Sequence, residues 1–381
     1  MTAAHTLDRD EKLRILADDS RYDLACACGT RGGEDHRTRG PDGLWLYPTS
    51  VPRGGKSVLL KTLLSNVCAG DCLYCPLRRD HDVRRCALAP EDVAAAFMAF
   101  FRRGEVYGLF LSSGITGSPD RTMDRLVATG RILRQRHGFR GHLHLKIIPG
   151  ASDAAVEAAL SVASAVSLNV ETPTRSSFAV LSREKDYDRD IVRTVKLIGR
   201  LTARGGPCAK VRPSTQFVVG ASTETDAQIV TATARLYGNH GVSRAYFSAY
   251  QRGLGHPDLP GERRAADSPG DGLTREHRLY QADWLLRQYG FSAEEIPFGA
   301  DGNLDLGTDP KKRWADLHPE RFPVAVNRAA KGELLRVPGL GPTAVKRILA
   351  GRKEGRAIRR LGDLGKVGRV LRRAAPYLRF D

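Results

Sequence analysis

The chain has 381 residues, of which 41% are hydrophobic and 27% charged, and its formal net charge is +17. That composition excludes a fibrous or wholly disordered protein and gives a globular chain long enough for more than one domain. The opening MTAAHTLDRDEK lacks the apolar core of a secretory signal, and no run approaches the roughly 18 apolar residues of a membrane span, so a cytoplasmic protein without membrane association is expected. In that setting seven cysteines, three of them crowded together, favour reduced thiols that bind metal over a disulfide framework.

Residues 1–55 read as an irregular N-terminal extension with one short helix at Asp8–Ala17, followed by the turn-rich GTRGGEDHRTRGPDG. Cys26 and Cys28 in this stretch read as an inert or substrate-proximal pair. The string GGKS at 54–57 is not a phosphate loop, because Ser50 stands where that motif needs glycine and a strand follows instead of preceding it. From Ser57 to Tyr250 the pattern alternates. Strands are predicted at 58–64, 106–113, 142–148, 165–171, 210–219 and 243–250, with helical stretches between them that open on Asp, Ser or Thr and close on Gly. Such alternation implies a parallel α/β sheet with right-handed crossovers, doubly wound or curled toward a barrel.

Period-two polarity separates the two. Fully buried parallel strands are apolar on both faces. Here polar groups recur at every second position: His142, His144 and Lys146; Ser167, Asn169 and Glu171; Ser214 and Gln216; Tyr246, Ser248 and Tyr250. Four such faces are expected to line one polar lumen. The barrel domain is placed at 56–300 with a flexible loop over 251–275, then a linker at 301–330 and a small terminal domain at 331–381.

The loop SNVCAGDCLYCPLRRD, after the first barrel strand, spaces Cys68, Cys72 and Cys75 as C-x3-C-x2-C. Soft thiolates suit zinc or an iron–sulfur cluster. A structural zinc needs four protein ligands, and His81 or Cys86 is available as the fourth. A [4Fe–4S] cluster on three cysteines instead keeps one iron open for a ligand.

With Tyr74 just before the third cysteine, this loop resembles the signature of the radical S-adenosylmethionine (SAM) superfamily. RYDLACACG, GLFLSSGITGSPD, HLHLKIIPGAS, DPKKRWA…PERFPVAVNRA and LLRVPGLGPTAVKRI extend the resemblance to a bacterial family described as DNA modification or repair radical SAM proteins with a C-terminal helix–hairpin–helix. It implies a partial (β/α)6 TIM-like barrel of radical SAM type, followed by a small all-α helix–hairpin–helix domain. It also implies a [4Fe–4S] cluster on Cys68, Cys72 and Cys75, and S-adenosyl-L-methionine cleaved to a 5′-deoxyadenosyl radical. Ser112, Ser113 and Gly114 stand in place of the commoner Gly-Gly-Glu; Tyr74, Lys146, Asn169, Glu171 and Gln216 fall where further cofactor contacts are expected. Cys208 and Tyr250 are candidate hydrogen donors. An external electron donor such as flavodoxin or ferredoxin, and a uracil-glycosylase-like partner, are further implications.

Residues 311–381 hold 19 Lys/Arg against 6 Asp/Glu, so +13 of the net charge lies there. This is the electrostatic footprint of a polyanion partner. LLRVPGLGPTAVKRI resembles a helix–hairpin–helix: Gly339 and Gly341 permit the hairpin, and Thr343, Lys346, Arg347, Arg352, Lys353 and Arg356 follow as phosphate contacts. A degenerate second copy is read around Gly365 and Gly368. DNA is preferred as substrate. An RNA-modifying radical enzyme and a non-enzymatic zinc-knot nucleic-acid-binding protein are the alternatives.

Overall fold

The structure is a computed structural model that describes residues 7–23, 38–39, 45–50, 56–263, 271–365 and 368–381. Eight strands form one sheet in chain order: β1 (Thr38–Arg39), β2 (Trp45–Ser50), β3 (Lys56–Leu63), β4 (Gly108–Ser112), β5 (His142–Lys146), β6 (Ala165–Ser167), β7 (Arg212–Val219) and β8 (Arg244–Ala249). The pairs β1–β2 and β2–β3 are antiparallel, and every pair from β3 to β8 is parallel. A doubly wound sheet would reverse its strand order midway. Here six parallel strands run in unbroken sequence, so right-handed crossovers put the helices on one face and the sheet curls around the other. The result is a half-barrel of the α/β class.

Side-chain alternation follows. Leu143, Leu145, Phe217 and Phe247 are fully buried, while a polar layer crosses neighbouring strands on the alternate positions. The Phe110 and His144 ring centroids lie 4.2 Å apart, Lys61 Nζ sits 4.8 Å from the Phe110 centroid, and His144 Nε2 is 2.9 Å from Ser167 Oγ. The polar lumen read from period-two spacing is therefore real.

The helices in this part of the chain are α1 (Arg9–Asp19), α2 (Pro90–Arg102), α3 (Pro119–Arg131), α4 (Asp153–Val162), α5 (Arg175–Ala179), α6 (Arg193–Thr202), α7 (Asp226–His240) and α8 (Pro260–Arg263). Their ends obey capping chemistry. Asp8 and Glu11 form a reciprocal box at α1, and Ser118 and Ser152 cap α3 and α4. Gly130 lets α3 close on the end of α4, since a Cβ there would lie 2.7 Å from Val162 Cγ2.

Contacts between Cα atoms divide the chain into two compact units, 1–224 with 235–273, and 225–234 with 274–381. The second contains most of α9 (Asp271–Trp284), then α10 (Pro310–Leu317), α11 (Lys331–Arg336), α12 (Pro342–Lys353) and α13 (Arg369–Arg372). Strands β9 (Val324–Ala325) and β10 (Leu378–Arg379) pair in parallel. Its core gathers Val326, Leu334, Val337, Leu340, Val345 and Ile348.

Three expectations change. The stretch read as an irregular extension contributes β1 and β2 to the sheet and buries Leu13, Leu16 and Ala17 of α1; its Gly/Pro-rich flanks obscure a strand of only six residues. The stretch read as a linker contains α10, whose Trp314 is 3% exposed and packs edge-on against Phe291. Part of the loop read as flexible is folded: His256 N–H donates to Leu73 O at 2.8 Å, and Arg78 donates to Leu254 O at 3.1 Å. Cys26 and Cys28 lie outside the described residues.

Candidate active site

Cys68, Cys72 and Cys75 line one cavity at the C-terminal ends of the parallel strands. Their loop is braced on three sides. Arg85 donates to four main-chain carbonyls: Asn66 at 2.5 Å, Leu77 at 2.9 Å, Arg78 at 2.7 Å and His81 at 2.8 Å. Asp71 accepts from Ser182 Oγ at 2.5 Å and from the N–H groups of Arg183 at 2.7 Å and Glu184 at 3.2 Å. Burial would raise this carboxyl, but the three donors outweigh it and hold Asp71 below the usual carboxylate range. On the third side a Cβ at Gly114 would lie 2.6 Å from Val67 O and 3.0 Å from Cys68 Cβ. Only glycine lets the turn after β4 approach this closely.

Each sulfur meets a donor. The N–H groups of Gly70 and Ile115 lie 3.3 and 3.4 Å from Cys68 Sγ, Leu77 N–H lies 3.4 Å from Cys75 Sγ, and Lys185 Nζ lies 2.8 Å from Cys72 Sγ. Burial pushes Cys72 up against the opposing pull of Lys185; burial and the neighbouring Cys72 push Cys75 up to about 12. Both thiols are therefore harder to deprotonate than a free cysteine. Burial lowers Lys185, but Cys72 more than compensates and keeps it a cation.

This donor set fits a three-thiolate iron–sulfur cluster. A Cβ at Gly70 would lie 3.3 Å from Cys68 Sγ and 3.8 Å from Cys72 Sγ, so glycine keeps the space between the thiols clear. Among the described residues no three His, Cys, Asp or Glu side chains are placed to hold a single ion. His81 Nδ1 is 2.6 Å from Pro76 O, and Cys86 Sγ faces Lys12 O at 3.9 Å. Both candidate fourth zinc ligands thus make main-chain contacts in this structure.

The facing wall is built on strain. Glu171 has φ 62°, the one non-glycine with positive φ among the described residues, a conformation that costs about 1–3 kcal/mol. Its N–H donates to Gln216 O at 3.0 Å and its carbonyl accepts from Val218 N–H at 2.8 Å, so the left-handed residue itself bridges to β7. Between Ser167 and this bridge the Thr215 hydroxyl stands in for ladder bonds: it donates to Leu168 O at 2.7 Å and accepts from Val170 N–H at 3.1 Å, and β6 ends at Ser167. The Glu171 carboxylate accepts from Tyr74 Oη at 2.6 Å and from Asn169 Nδ2 at 3.4 Å. Burial, then the Glu171 charge, pushes the Tyr74 hydroxyl well above its ordinary value and keeps it a donor.

The same cavity is lined by Tyr74, Ser112, Ser113, Gly114, Lys146, Asn169, Glu171, Gln216 and Tyr250. Cys208 is elsewhere: it precedes β7, at the end of the strand opposite the cavity, with its N–H on Leu201 O at 2.9 Å. The Tyr250 hydroxyl is committed to the Glu262 carboxylate; burial and that bond push it up. Sequence reading missed Asp19, Tyr22 and Lys185 in the cavity wall, and Asp71 and Arg85 behind it. Asp71 and Arg85 carry a signal, their nearness to the cysteines. Lys185 carries none, since it lies 113 residues from Cys72.

In the second unit α11 and α12 flank VPGLGP, with Gly339 at φ 85° and a Cβ there 2.6 Å from Val370 O. Thr343, Lys346, Arg347, Lys353 and Arg356 are exposed; Arg356 pairs with Glu354, and Arg347 reaches Leu364 O at 3.4 Å. Arg352 is not available to phosphate. Its guanidinium donates from Nε to Val326 O at 3.0 Å and from Nη1 to Ala329 O at 2.6 Å, tying α12 to the chain before α11.

No protein-family model and no curated protein matches the chain. Solved structures with a similar fold include HydG, a maturase of the [FeFe]-hydrogenase (14% identity, 58% of this chain and 49% of that one, TM-score 0.44). Methylornithine synthase PylB matches at 14% identity over 59% of this chain and 62% of its own, with a TM-score of 0.45. A radical SAM methyltransferase from Sphaerobacter thermophilus matches at 13% identity over 65% and 73%, with a TM-score of 0.41. The chain thus spans about half to three-fifths of the first two. At this distance no residue role or substrate transfers from them.

Proposed function

We propose that the chain is a radical SAM enzyme that modifies or repairs nucleic acid, DNA in preference to RNA. The observation that carries this reading is the three-thiol cavity: C-x3-C-x2-C with an N–H or ammonium donor on each sulfur and a polar lumen beside it. Cys68, Cys72 and Cys75 would hold a [4Fe–4S] cluster. With an electron from a flavodoxin- or ferredoxin-type donor, a cluster and SAM held there would supply radical hydrogen-abstraction chemistry on the substrate.

The chain's own residues prepare the cavity. The four donors to sulfur offset the negative charge that thiolate ligands bring. Lys185, held as a cation beside Cys72, suits the carboxylate of the methionyl end. Tyr74 fixes the Glu171 carboxylate, which with Asn169 and Gln216 offers hydrogen bonds to ribose hydroxyls. The curled sheet and the packed loop 251–263 limit the access of water.

The polymer is argued from the second unit, where exposed Lys346, Arg347 and Lys353 on one helix suit phosphate contacts that position a duplex without reading its bases. The test is SAM cleavage by anaerobically reconstituted, reduced protein in the presence of duplex DNA, single-stranded DNA or tRNA. A rise in 5′-deoxyadenosine with DNA supports the reading. A rise with tRNA alone reassigns the polymer, and one zinc with no iron in the reconstituted protein overturns the radical chemistry.

A further inference from the structure

The second unit has a cavity of its own, of about 960 Å³, at the upper end of the roughly 300–1,000 Å³ usual for small-ligand sites. One wall is a single face of α9, where Tyr280 and Trp284 stand four residues apart. Tyr289 and Tyr377 add aromatic surface, and the hairpin Pro338–Gly341 closes one side. Trp284 is 48% exposed, which is unusual for the largest apolar side chain unless something covers it.

The cations are unevenly committed. Lys311 is spent on structure: its Nζ donates to the hairpin carbonyl of Leu340 at 2.6 Å and lies 4.5 Å from the Tyr289 ring centroid. Lys312 lines the cavity and shares its charge with Asp316 at 2.7 Å. Arg373 also lines it and is exposed. Aromatic faces beside Lys312 and Arg373, the two cations coming from the segment 311–381 that carries +13, suit a base stacked on a ring with its phosphate on a cation.

We infer that this cavity takes an unpaired nucleotide of DNA, its base stacked on Trp284 and its phosphate met by Arg373. The inference rests on the nucleic-acid reading above and adds to it a preference: DNA with an unpaired or extruded nucleotide over fully paired duplex. Because Trp284 and Arg373 are exposed, they can be replaced without opening a core.

The experiment uses the full chain and fluorescein-labelled oligonucleotides at low salt: a paired duplex, the same duplex with one bulged nucleotide, and a single strand. Wild type is expected to favour the bulged and single-stranded forms. Trp284→Ala should lower affinity for those two about tenfold, the range of base–aromatic stacking, with paired duplex unchanged; Trp284→Phe should restore most of it, and Arg373→Gln should weaken the same two forms. Equal losses on all three DNAs, or no loss in Trp284→Ala, overturn the inference while the nucleic-acid reading stands. Absence of DNA binding by wild type overturns both.

Discussion

Replacing Arg85 with alanine removes the brace on which the cysteine loop depends most. One guanidinium holds four carbonyls of residues 66–81 at 2.5–2.9 Å. Hydrogen bonds from a charged donor contribute about 1.5–3 kcal/mol each when fully shielded. The site is only half-buried, so water replaces part of that, and a total loss of about 2–4 kcal/mol is expected. At roughly 1.4 kcal/mol per factor of ten, the open form of the loop becomes about 30- to 700-fold more populated. Hydrogen exchange read by mass spectrometry over 66–81 measures this directly, and iron retained after anaerobic reconstitution should fall with it. Lysine can satisfy only some of the four carbonyls, so Arg85→Lys should lie between. Unchanged exchange over 66–81 in Arg85→Ala, in a protein whose melting is also unchanged, would refute the reasoning.

Gly114→Ala places a methyl 2.6 Å from Val67 O; overpacking of this kind costs about 1–3 kcal/mol. It should cut 5′-deoxyadenosine formation at least tenfold with only a small drop in melting temperature, and wild-type turnover would contradict the close-approach argument. Cys208→Ser, at the far end of β7, should leave SAM cleavage unaltered in the same assay. Burial lowers Lys311 to about 7 from an ordinary 10.5, so between those values the unfolded chain binds the extra proton. Stability should therefore rise with pH from about 7 to 10.5, by up to about 4 kcal/mol, and level off below 7. Urea midpoints at pH 6.5 and 9.5 test this: Lys311→Met should lose the rise, and an identical slope in both proteins would contradict it.

The barrel was legible because its signal is periodic. Polar residues at every second position of β5, β7 and β8 identify a lumen, and cap residues such as Ser118 and Ser152 mark helix starts. The cysteine loop was legible because its ligands are local. What escaped is what the chain assembles over long separations. Lys185 reaches Cys72 through a segment that Asp71 clamps, and neither end of that contact predicts the other. The left-handed Glu171 also escaped, since no local preference favours glutamate there; the tertiary bonds to Gln216 and Val218 impose it. Arg352 shows the converse, a cation in a basic run that α12 turns inward to carbonyls. Composition alone cannot separate such a brace from a phosphate contact.

The most direct test of the radical assignment is 5′-deoxyadenosine formation by anaerobically reconstituted, dithionite-reduced protein supplied with SAM. Wild type should form it, and Cys68→Ala, Cys72→Ala and Cys75→Ala should each abolish it. No product from wild-type protein that carries four irons, or as much from Cys72→Ala as from wild type, would contradict the account.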